Sequence, residues 1–336
     1  MEYHLGWRQL PGTGPVKPGK HIRSLFLLLT TQMFGGSVTR ALPLASAVEL
    51  LHGATLVYDD IQDGGTMRRG RPAVWRIAGV AQGINVGAAV QASVHAAVLR
   101  AAAAGLKPDV TLEAGAELAT AMLCLAEGQY LDLRLRAEGA VGIEQYMDVC
   151  AKKAASLCGS AGVLGVLAAG RQDMAALARQ LGHHLGMYLQ ISDDIDGIWG
   201  EAETMGKLPD DLLQKRRTLP VLYAFQRSSL EEDVRGATAA LWRRFLGEGP
   251  WGEADVVACL NILRRYDSRS YAVTLARLHA DNATQTLARL QAEAIVPGTL
   301  SPLFEAFSLA TSAGHLGAIL QMPDAQPVSL PASGVV

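Results

Sequence analysis

The sequence has little of several residue types whose abundance would indicate a particular class of protein. Aromatic residues make up 6% of the 336 positions, charged residues make up 18%, and the formal net charge is −2. This balance lacks the basic excess of nucleic-acid-binding proteins, so we expect no nucleic-acid partner. The four cysteines show neither CxxC nor metal-ligand spacing, which is typical of the reduced thiols of a cytoplasmic protein.

We also expect no segment that directs the chain into a membrane. The start of the sequence has neither the basic nor the apolar region of a secretory signal peptide. The longest stretch without Asp, Glu, Lys or Arg runs from Ile77 to Leu99, but several polar side chains interrupt it. A membrane span needs about 20 predominantly apolar residues. We therefore expect no transmembrane segment and interpret this stretch as a buried helix.

What the sequence does have is apolar, helix-forming composition. Hydrophobic residues make up 49% of the chain, alanine is abundant, and long stretches lack proline. This composition favours helices over sheets, and we find no convincing strand alternation, fixed-period repeat or linker. We predict a single all-α domain over residues 1–320, a bundle of about ten or more helices. A disordered tail is expected at 321–336.

Three carboxylates stand together at the predicted C-terminal end of one helix, in Asp59-Asp60-Ile61-Gln62-Asp63. The four-residue spacing puts Asp59 and Asp63 on one face. A like-charged pair about 4 Å apart costs roughly 4 kcal/mol at an effective dielectric constant near 20, before screening. The C-terminal end of a helix is itself partly negative. A compensating cation is expected, and Mg²⁺ prefers such oxygen ligands. A solvated acidic helix end is the alternative.

A second acidic motif, Gln190-Ile191-Ser192-Asp193-Asp194-Ile195-Asp196-Gly197, also ends a predicted helix. Helix ends that are distant in sequence can face each other across a bundle. Facing carboxylates could then hold several Mg²⁺ ions, with a diphosphate completing their coordination. Two unrelated acidic helix ends remain the alternative at this point.

Basic residues accompany both acidic motifs. Lys20 and Arg23 open the first predicted helix, at the end that favours an anion, and Arg68 and Arg69 follow the first motif. Lys153 interrupts an apolar helix, where an unpaired charge costs free energy, so we expect a functional role for it. After the second motif come Lys207 and the run Lys215 to Arg217, for which a solvated surface is the alternative.

Taken in order, these motifs resemble the trans-type isoprenyl diphosphate synthases, the polyprenyl synthetase family. The resemblance covers about residues 17–225. No single motif is specific for the family, so the resemblance depends on the order in which the motifs occur. They are Gly19-Lys20-x-x-Arg23, Glu49-x-x-His52, Asp59-Asp60-x-x-Asp63, Arg68-Arg69-Gly70, Gly128-Gln129-x-x-Asp132, Lys153, Gln190-x-x-Asp193-Asp194, Gly206-Lys207 and Arg216-Arg217-Thr218-Leu219-Pro220. The family implies a helical bundle around a central cavity and a homodimer.

The resemblance implies a role for each matching position. The residues that bind Mg²⁺, about three ions with a diphosphate, are Asp59, Asp60, Asp63, Asp193 and Asp194. The diphosphate of isopentenyl diphosphate is bound by Lys20, Arg23, His52 and Arg69. The allylic diphosphate contacts Arg68, Lys153, Lys207 and Arg216. The catalytic residues are Lys153, Lys207 and Gln190, which lies near the reacting carbons.

The implied reaction is head-to-tail condensation of an allylic diphosphate with isopentenyl diphosphate. Metal ions and cations stabilise the departing diphosphate, and the isopentenyl double bond attacks the resulting allylic cation. In this family the residues four and five positions before the first aspartate line the tunnel for the growing chain. Here they are Thr55 and Ala54. Because both are small, we expect a product of C20 or longer, with geranylgeranyl diphosphate as the specific prediction.

Departures from the family pattern keep two other functions open. Gly197 stands where a third aspartate is common, Ala154 where a threonine is usual, and Ala88 where an aspartate is common. A class I terpene cyclase shares the fold and the metal site but has no use for the isopentenyl site. A non-catalytic subunit of a heteromeric synthase should have lost carboxylates from the first motif. The basic isopentenyl set and the intact first motif favour chain elongation.

Overall fold

The computed structural model describes residues 1–15, 19, 21–137, 142–200, 209–229, 236–247, 249–296 and 299. Apart from turns and one small hairpin, the described chain is helical, which confirms the predicted all-α fold. The helices are α1 Glu2–Leu5, α2 Ile22–Met33, α3 Val38–Gln62, α4 Val74–Ala78, α5 Val80–Ala103, α6 Pro108–Ala137, α7 Ile143–Cys150, α8 Ser156–Ala168, α9 Ala175–Trp199, α10 Asp210–Leu213, α11 Leu219–Ser229, α12 Ala237–Leu246, α13 Glu253–Arg265 and α14 Ser268–Ala292.

Two compact units make up the described chain. The first comprises Met1–Tyr130, Ala151–Gly186 and a segment that starts at Asn282, and the second comprises Leu131–Cys150 and Met187–Asp281. The prediction of a single domain over 1–320 stays a prediction. The expected tail at 321–336 lies outside the described residues.

In the first unit, α8 is the central helix, and residues 157–167 are buried throughout. A helix that is apolar on all sides is expected to be surrounded by other elements. Its glycines allow α2 to approach closely, since a Cβ atom at Gly165 would lie 2.7 Å from Leu27 O and from Thr30 Cβ. Thr31 Oγ1 donates to Gly165 O at 3.1 Å and adds a polar link between the two helices.

Helix α3, which carries the first acidic motif, packs along α5. Gly87 of α5 lies under the ring of Tyr58, because a Cβ atom there would be 2.6 Å from two ring carbons. Gly83, one turn earlier, makes room in the same way for Ile61. Small residues on α5 therefore set the distance to the last two turns of α3.

Three helices in the described part of the chain are long and apolar enough to cross a membrane. They are Val38–Gln62, Val80–Ala103 and the continuous helical segment Ile143–Ala168. The most apolar windows of these helices are 50%, 33% and 78% buried inside the protein. The absence of a transmembrane segment therefore stays a prediction.

The segment after the first acidic motif, where no strand was predicted, contains a two-stranded hairpin. Strand β1, Met67–Arg68, pairs antiparallel with β2, Arg71–Pro72. Arg69 and Gly70 form the turn with φ values of 52° and 76°. Positive φ at both central residues is the geometry of the tight turns that match strand twist. Each strand has only two residues, which is too short for an alternating sequence pattern to predict it. The turn at Arg69 and Gly70 brings the two strands together.

The second unit has a core of aromatic and aliphatic side chains. Trp242 meets Phe225 and Phe245 edge to face, with ring centroids 5.5 and 5.8 Å apart, and its Nε1 donates to Ser228 Oγ at 2.8 Å. A smaller cluster of Leu135, Val149 and Leu222 joins α6, α7 and α11. These contacts hold the helices that surround the second acidic motif.

Candidate active site

The first acidic motif forms the C-terminal end of α3. Asp63 caps the helix, and its backbone N–H donates to Asp59 O at 2.8 Å, which puts the two residues one turn apart. The Asp63 carboxylate is exposed and accepts a hydrogen bond from Gln129 Nε2 of α6 at 3.2 Å. Gln129 therefore positions the last carboxylate of the motif.

Asp60 differs from its two neighbours because it is only 2% exposed. Arg68 reaches back from the hairpin and donates to Asp60 Oδ1 from Nε at 3.0 Å and from Nη2 at 2.5 Å. Burial raises the pKa of Asp60, and Arg68 opposes that rise. Asp60 Oδ2 is buried and has no hydrogen-bond partner among the described residues. Arg68, predicted to contact the allylic diphosphate, thus neutralises the helix end.

The carboxylates present fit Mg²⁺ bound together with a phosphate ligand. Among the described residues, no three His, Cys, Asp or Glu side chains form a group that could hold a metal ion. Mg²⁺ usually binds through one or two carboxylates and completes its shell with substrate phosphates and water. The one-turn spacing of Asp59 and Asp63, and the unpartnered Asp60 Oδ2 beside them, meet that requirement.

Three of the four residues predicted to bind isopentenyl diphosphate lie in the first unit and are described. Arg23 Nη1 donates to His52 Nε2 at 3.5 Å. Burial, reinforced by Arg23 and Arg69, lowers the pKa of His52 well below its usual value, so the imidazole is neutral. Arg69 lies against Gly19, where a Cβ atom would be 2.9 Å from Arg69 Nη2. Lys20 lies outside the described residues.

Glu49, which opens the Glu-x-x-His motif, fixes the start of α2. Its Oε1 accepts from the Ser24 backbone N–H at 3.3 Å, and its Oε2 lies 3.0 Å from His21 Nδ1. A carboxylate at the positive N-terminal end of a helix is stabilising. Glu49 therefore holds the helix that carries Arg23 against the helix that carries His52.

The N-terminal helix α1 contacts the same region, which sequence reasoning missed because residues 1–20 lack periodicity. Arg71 donates to Tyr3 O at 2.9 Å, and its guanidinium lies 4.5 Å from the Tyr3 ring centroid. Tyr3 Oη donates to Pro72 O at 2.8 Å, and His4 Nε2 is 2.8 Å from Gly53 O. Helix α1 thereby joins the hairpin to α3, and no local sequence signal reports this contact.

Lys153 lies on a single π-helical turn, Ala151–Ala155, between α7 and α8. Such turns are inserted irregularities that often occur at functional sites. Gly128 of α6 faces this turn, since a Cβ atom there would be 2.9 Å from Lys153 Cγ and 2.8 Å from Lys152 Cβ. The two parts of the Gly128-Gln129 motif therefore do different things: the glycine admits Lys153, and the glutamine binds Asp63.

The second acidic motif lies in the second unit and again divides into exposed and buried carboxylates. Asp193 is exposed, whereas Asp194 is 3% exposed. Asp194 Oδ2 accepts from Tyr146 Oη at 2.6 Å and from the Leu219 backbone N–H at 3.0 Å. Its Oδ1 accepts from Gln190 Nε2 at 3.0 Å. Burial raises the pKa of Asp194 to about 7, although these three hydrogen bonds oppose the rise.

Asp194 therefore joins the end of α9 to the start of α11 and orients Gln190. Tyr146, its closest partner, was not identified from the sequence, because a tyrosine on another helix carries no signal of this contact. The metal-binding roles assigned to Asp60 and Asp194 stay predictions. The observed hydrogen bonds give both residues a positioning function in addition.

Arg216, the last cation assigned to the allylic diphosphate, is exposed and belongs to the second unit. Its Nη1 lies 3.4 Å from Asp211 Oδ1, and its Nε donates to Gln214 Oε1 at 3.0 Å. The neighbouring Arg217 instead binds the carbonyl groups of Leu135 and Arg136 and is structural. Lys207 lies outside the described residues.

The two residues assigned to chain length lie on α3, one turn before the first motif. Ala54 is fully buried, and Thr55 is half-buried with its Oγ1 donating to His52 O at 2.8 Å. The neighbouring Gly53 packs on Leu5, which a Cβ atom would meet at 3.2 Å. The role of Ala54 and Thr55 in setting product length stays a prediction.

The all-α fold and the two acidic motifs are those of synthases that act on isoprenyl diphosphates. Comparison with known proteins supports the same class. A solved polyprenyl synthase from Caulobacter crescentus, complexed with calcium and isoprenyl diphosphate, is similar to this chain with a TM-score of 0.74 and 29% identity. The similarity covers 88% of this chain and 85% of that one. The polyprenyl synthetase profile matches residues 11–246. The chain belongs to the polyprenyl synthetase family, a family of Mg²⁺-dependent trans-prenyltransferases.

Curated relatives differ in the product that their names specify. A geranylgeranyl diphosphate synthase of Mycobacterium tuberculosis is 37% identical over 68% of this chain and 65% of its own length. A (2E,6E)-farnesyl diphosphate synthase of the same species is 29% identical over 86% of this chain and 79% of its own length. These matches confirm the resemblance that the motifs indicated.

Proposed function

We propose that this chain condenses an allylic diphosphate with isopentenyl diphosphate and releases a longer trans-prenyl diphosphate. The observation that carries the proposal is the basic group Arg23, His52 and Arg69, which accompanies the first acidic motif in one compact unit. An enzyme that only ionises one diphosphate has no use for a second anion site. The neutral His52, held by Arg23, provides a hydrogen-bonding partner rather than a further charge.

Each residue contributes a distinct part of the reaction. Mg²⁺, when bound with the diphosphate, supplies electrostatic stabilisation of the leaving group. Asp59, Asp63 and Asp193 are the exposed or half-buried carboxylates that would hold it. Asp60, tied to Arg68, and Asp194, tied to Tyr146, keep the two helix ends in place.

The cations, Gln190 and the apolar helix faces have separate roles around the allylic substrate. Lys153, Lys207, Arg68 and Arg216 would contact the departing diphosphate, where fixed positive charge lowers the barrier to ionisation. Gln190, oriented by Asp194, would lie near the reacting carbons. The apolar helix faces around them would exclude water, which would otherwise capture the allylic cation.

The specific product proposed is the C20 compound geranylgeranyl diphosphate. The side chains of Ala54 and Thr55 are small, and they lie one turn before the acidic end of α3. The 37% identical relative carries the name of a geranylgeranyl diphosphate synthase, which supports the same length. The farnesyl diphosphate synthase among the relatives defines the competing outcome.

We further propose a cytoplasmic homodimer with no transmembrane segment. Leu99, Leu112 and Leu123 on α5 and α6 are each more than 70% exposed in the isolated chain. Exposed leucines of this kind suit an interface with a second copy, because burying apolar surface favours association. Sedimentation of the purified chain without detergent tests the homodimer and the absence of a transmembrane segment, since a monomer or a detergent-dependent aggregate would contradict them.

Product analysis tests the reaction. The purified chain is incubated with Mg²⁺ and each of dimethylallyl, geranyl and farnesyl diphosphate, with and without isopentenyl diphosphate, and the products are identified by mass spectrometry. We expect a C20 prenyl diphosphate only when isopentenyl diphosphate is present. A hydrocarbon formed from the allylic substrate alone would indicate a cyclase. Turnover only after addition of a second polypeptide would indicate a heteromeric subunit.

A further inference from the structure

The hairpin after the first acidic motif depends on contacts outside itself for its shape. Each strand has two residues, and even a longer isolated hairpin is only marginally stable in water. Arg69 in the turn adopts a φ of 52°, a left-handed conformation that a residue with a Cβ atom keeps only when its surroundings enforce it. The position of Arg69, which the proposed function assigns to isopentenyl diphosphate, is therefore set by whatever anchors the hairpin.

The two arginines on either side of the turn provide these anchors. Arg68 and Arg71 are paired across the two strands, and Arg68 binds the Asp60 carboxylate of α3. Arg71 instead binds α1, because its Nη2 donates to Tyr3 O at 2.9 Å and its guanidinium lies 4.5 Å from the Tyr3 ring centroid. Tyr3 Oη also donates to Pro72 O at 2.8 Å, on the second strand. One arginine thus ties the hairpin to α3, and the other ties it to α1.

Arg71 is a buried cation without a carboxylate partner. It is only 4% exposed, and its Nε and Nη1 have no hydrogen-bond partner among the described residues. No Asp or Glu occurs at positions 3–48 or 64–108, and the Glu2 carboxylate of α1 lies 3.9 Å from Arg8 instead. An apolar side chain would fill the same space without the cost of burying a charge. The charge of Arg71 is therefore expected to act on a neighbouring group.

The charge of Arg71 acts on Arg69, because both residues line one small cavity between α1 and the hairpin. Burial lowers the pKa of Arg69, and repulsion from Arg68 and Arg71 lowers it further. The Glu49 carboxylate opposes these effects in part. Because Arg68 is balanced by its salt bridge to α3, Arg71 is the unbalanced charge beside Arg69. An anion bound to Arg69 would relieve the repulsion, which favours anion binding at that residue.

We propose that Arg71, held by Tyr3 of α1, is a positioning residue for isopentenyl diphosphate. It fixes the hairpin against α1, and its charge keeps the Arg69 side chain available to an anion. This inference rests on the proposed function, since it concerns the substrate assigned to Arg69, and it adds two residues that do not touch that substrate. Because Arg68 has its own anchor on α3, binding of the allylic diphosphate should not depend on Arg71.

Comparison of the two substrates tests this role. Calorimetric titration of the full chain with Mg²⁺ measures the Kd of isopentenyl diphosphate and of geranyl diphosphate, each added alone, and the melting temperature is measured beside them. The variants are Arg71→Met, Arg71→Lys, Tyr3→Phe, Tyr3→Ala and the double variant Tyr3→Ala with Arg71→Met. Arg76→Met is the matched control, because Arg76 is exposed and its guanidinium also lies near an aromatic ring, 5.5 Å from the Trp75 centroid.

We expect Arg71→Met to weaken isopentenyl diphosphate binding about tenfold, because a charge-assisted hydrogen bond from Arg69 is partly lost. The affinity for geranyl diphosphate should change by less than about twofold, as for an independent site. Arg71→Lys keeps the charge and should lose less, and it replaces Arg71→Met if that variant does not fold. Tyr3→Phe, which loses only the Oη donor, should lose less than Tyr3→Ala. The double variant should be less than additive, and the control should bind like the unmodified chain.

Three results overturn the assignment. Equal weakening for both substrates, or a lower melting temperature with unchanged affinities, would mean that Arg71 only supports the hairpin. Full additivity in the double variant would mean that Tyr3 does not act through Arg71. The proposed function is judged separately, because the unmodified chain is also assayed for condensation. If that chain binds isopentenyl diphosphate without condensing it, the proposed function fails, and the two Kd values still decide the role of Arg71. Absence of any isopentenyl diphosphate binding would overturn both.

Discussion

The hydrogen bond between Tyr146 and Asp194 should contribute measurably to stability. Tyr146→Phe removes the Oη donor 2.6 Å from Asp194 Oδ2 and leaves the Leu219 and Gln190 bonds in place. At pH 8, above the pKa of about 7, the Asp194 carboxylate is ionised. A hydrogen bond to a charged group contributes about 1.5–3 kcal/mol. The free energy of unfolding should fall by that amount.

The effect should be smaller at pH 6, where Asp194 is mostly protonated. A neutral hydrogen bond contributes about 0.5–1.5 kcal/mol, so the loss at pH 6 should be roughly half the loss at pH 8. The sign follows from the hydrogen bond, because Tyr146 stabilises the ionised carboxylate more than the neutral acid. Removing its hydroxyl therefore raises the pKa of Asp194 further.

Urea denaturation at both pH values measures this change. Tyr130→Phe is the control, since Tyr130 is 63% exposed and a surface change of this kind is expected within about 0.5 kcal/mol of zero. A Tyr146→Phe loss no larger than that of the control would refute the reasoning. An equal loss at pH 6 and pH 8 would show that the hydroxyl does not act through the charge of Asp194.

Three other predictions concern the first unit. Ala54→Phe should shorten the main product to C15 and cost about 1–3 kcal/mol of stability through overpacking, because Ala54 is fully buried; mass analysis of products and urea denaturation measure the two effects. His4 has its pKa lowered to about 4 by burial, so it contributes up to about 3 kcal/mol of stability above pH 6.5 that is lost as pH falls from 6.5 towards 4. Replacing His4 with Gln should remove that part of the pH dependence, measured by hydrogen exchange of α1. Gly128→Ala should displace Lys153, which a Cβ atom would approach to 2.9 Å, and lower kcat about tenfold or more in steady-state assays.

Each of these has a clear contrary result. An unchanged product length in Ala54→Phe would refute the tunnel assignment. A pH dependence that survives in His4→Gln would place the responsible group elsewhere. For Gly128→Ala, the control is Gly115→Ala on the same helix, where a Cβ atom meets only Val98 Cγ1 at an ordinary 3.7 Å. Equal kcat values for these two variants would argue against a role for the Lys153 position.

The acidic motifs show how far local patterns lead. Helical spacing alone predicted that Asp59 and Asp63 lie one turn apart at a helix end, and the structure bears this out. The same spacing could not predict that Asp60 and Asp194 are buried while Asp63 and Asp193 are exposed. Exposure depends on which other helices pack against each end, and that information is spread over distant parts of the chain.

The Gly-Gln pair on α6 illustrates the same limit. The position of this pair among the other motifs helped to identify the family. The contacts that each of the two residues makes are seen only in the three-dimensional structure. Gly128 admits the π-helical turn of Lys153, and Gln129 donates to Asp63. Neither contact follows from periodicity, because both join segments more than twenty residues apart.

The sequence by itself determined the all-α class, the placement of both acidic motifs on helices and the family, because these depend on helical periodicity, composition and the order of short motifs. Tertiary structure alone decided the arginine pairing of Asp60, the link from Tyr146 to Asp194 and the docking of α1. Hydrogen bonding and steric exclusion act between atoms brought together by packing. The sequence shows which residue types can make such contacts, and the fold determines which of them meet.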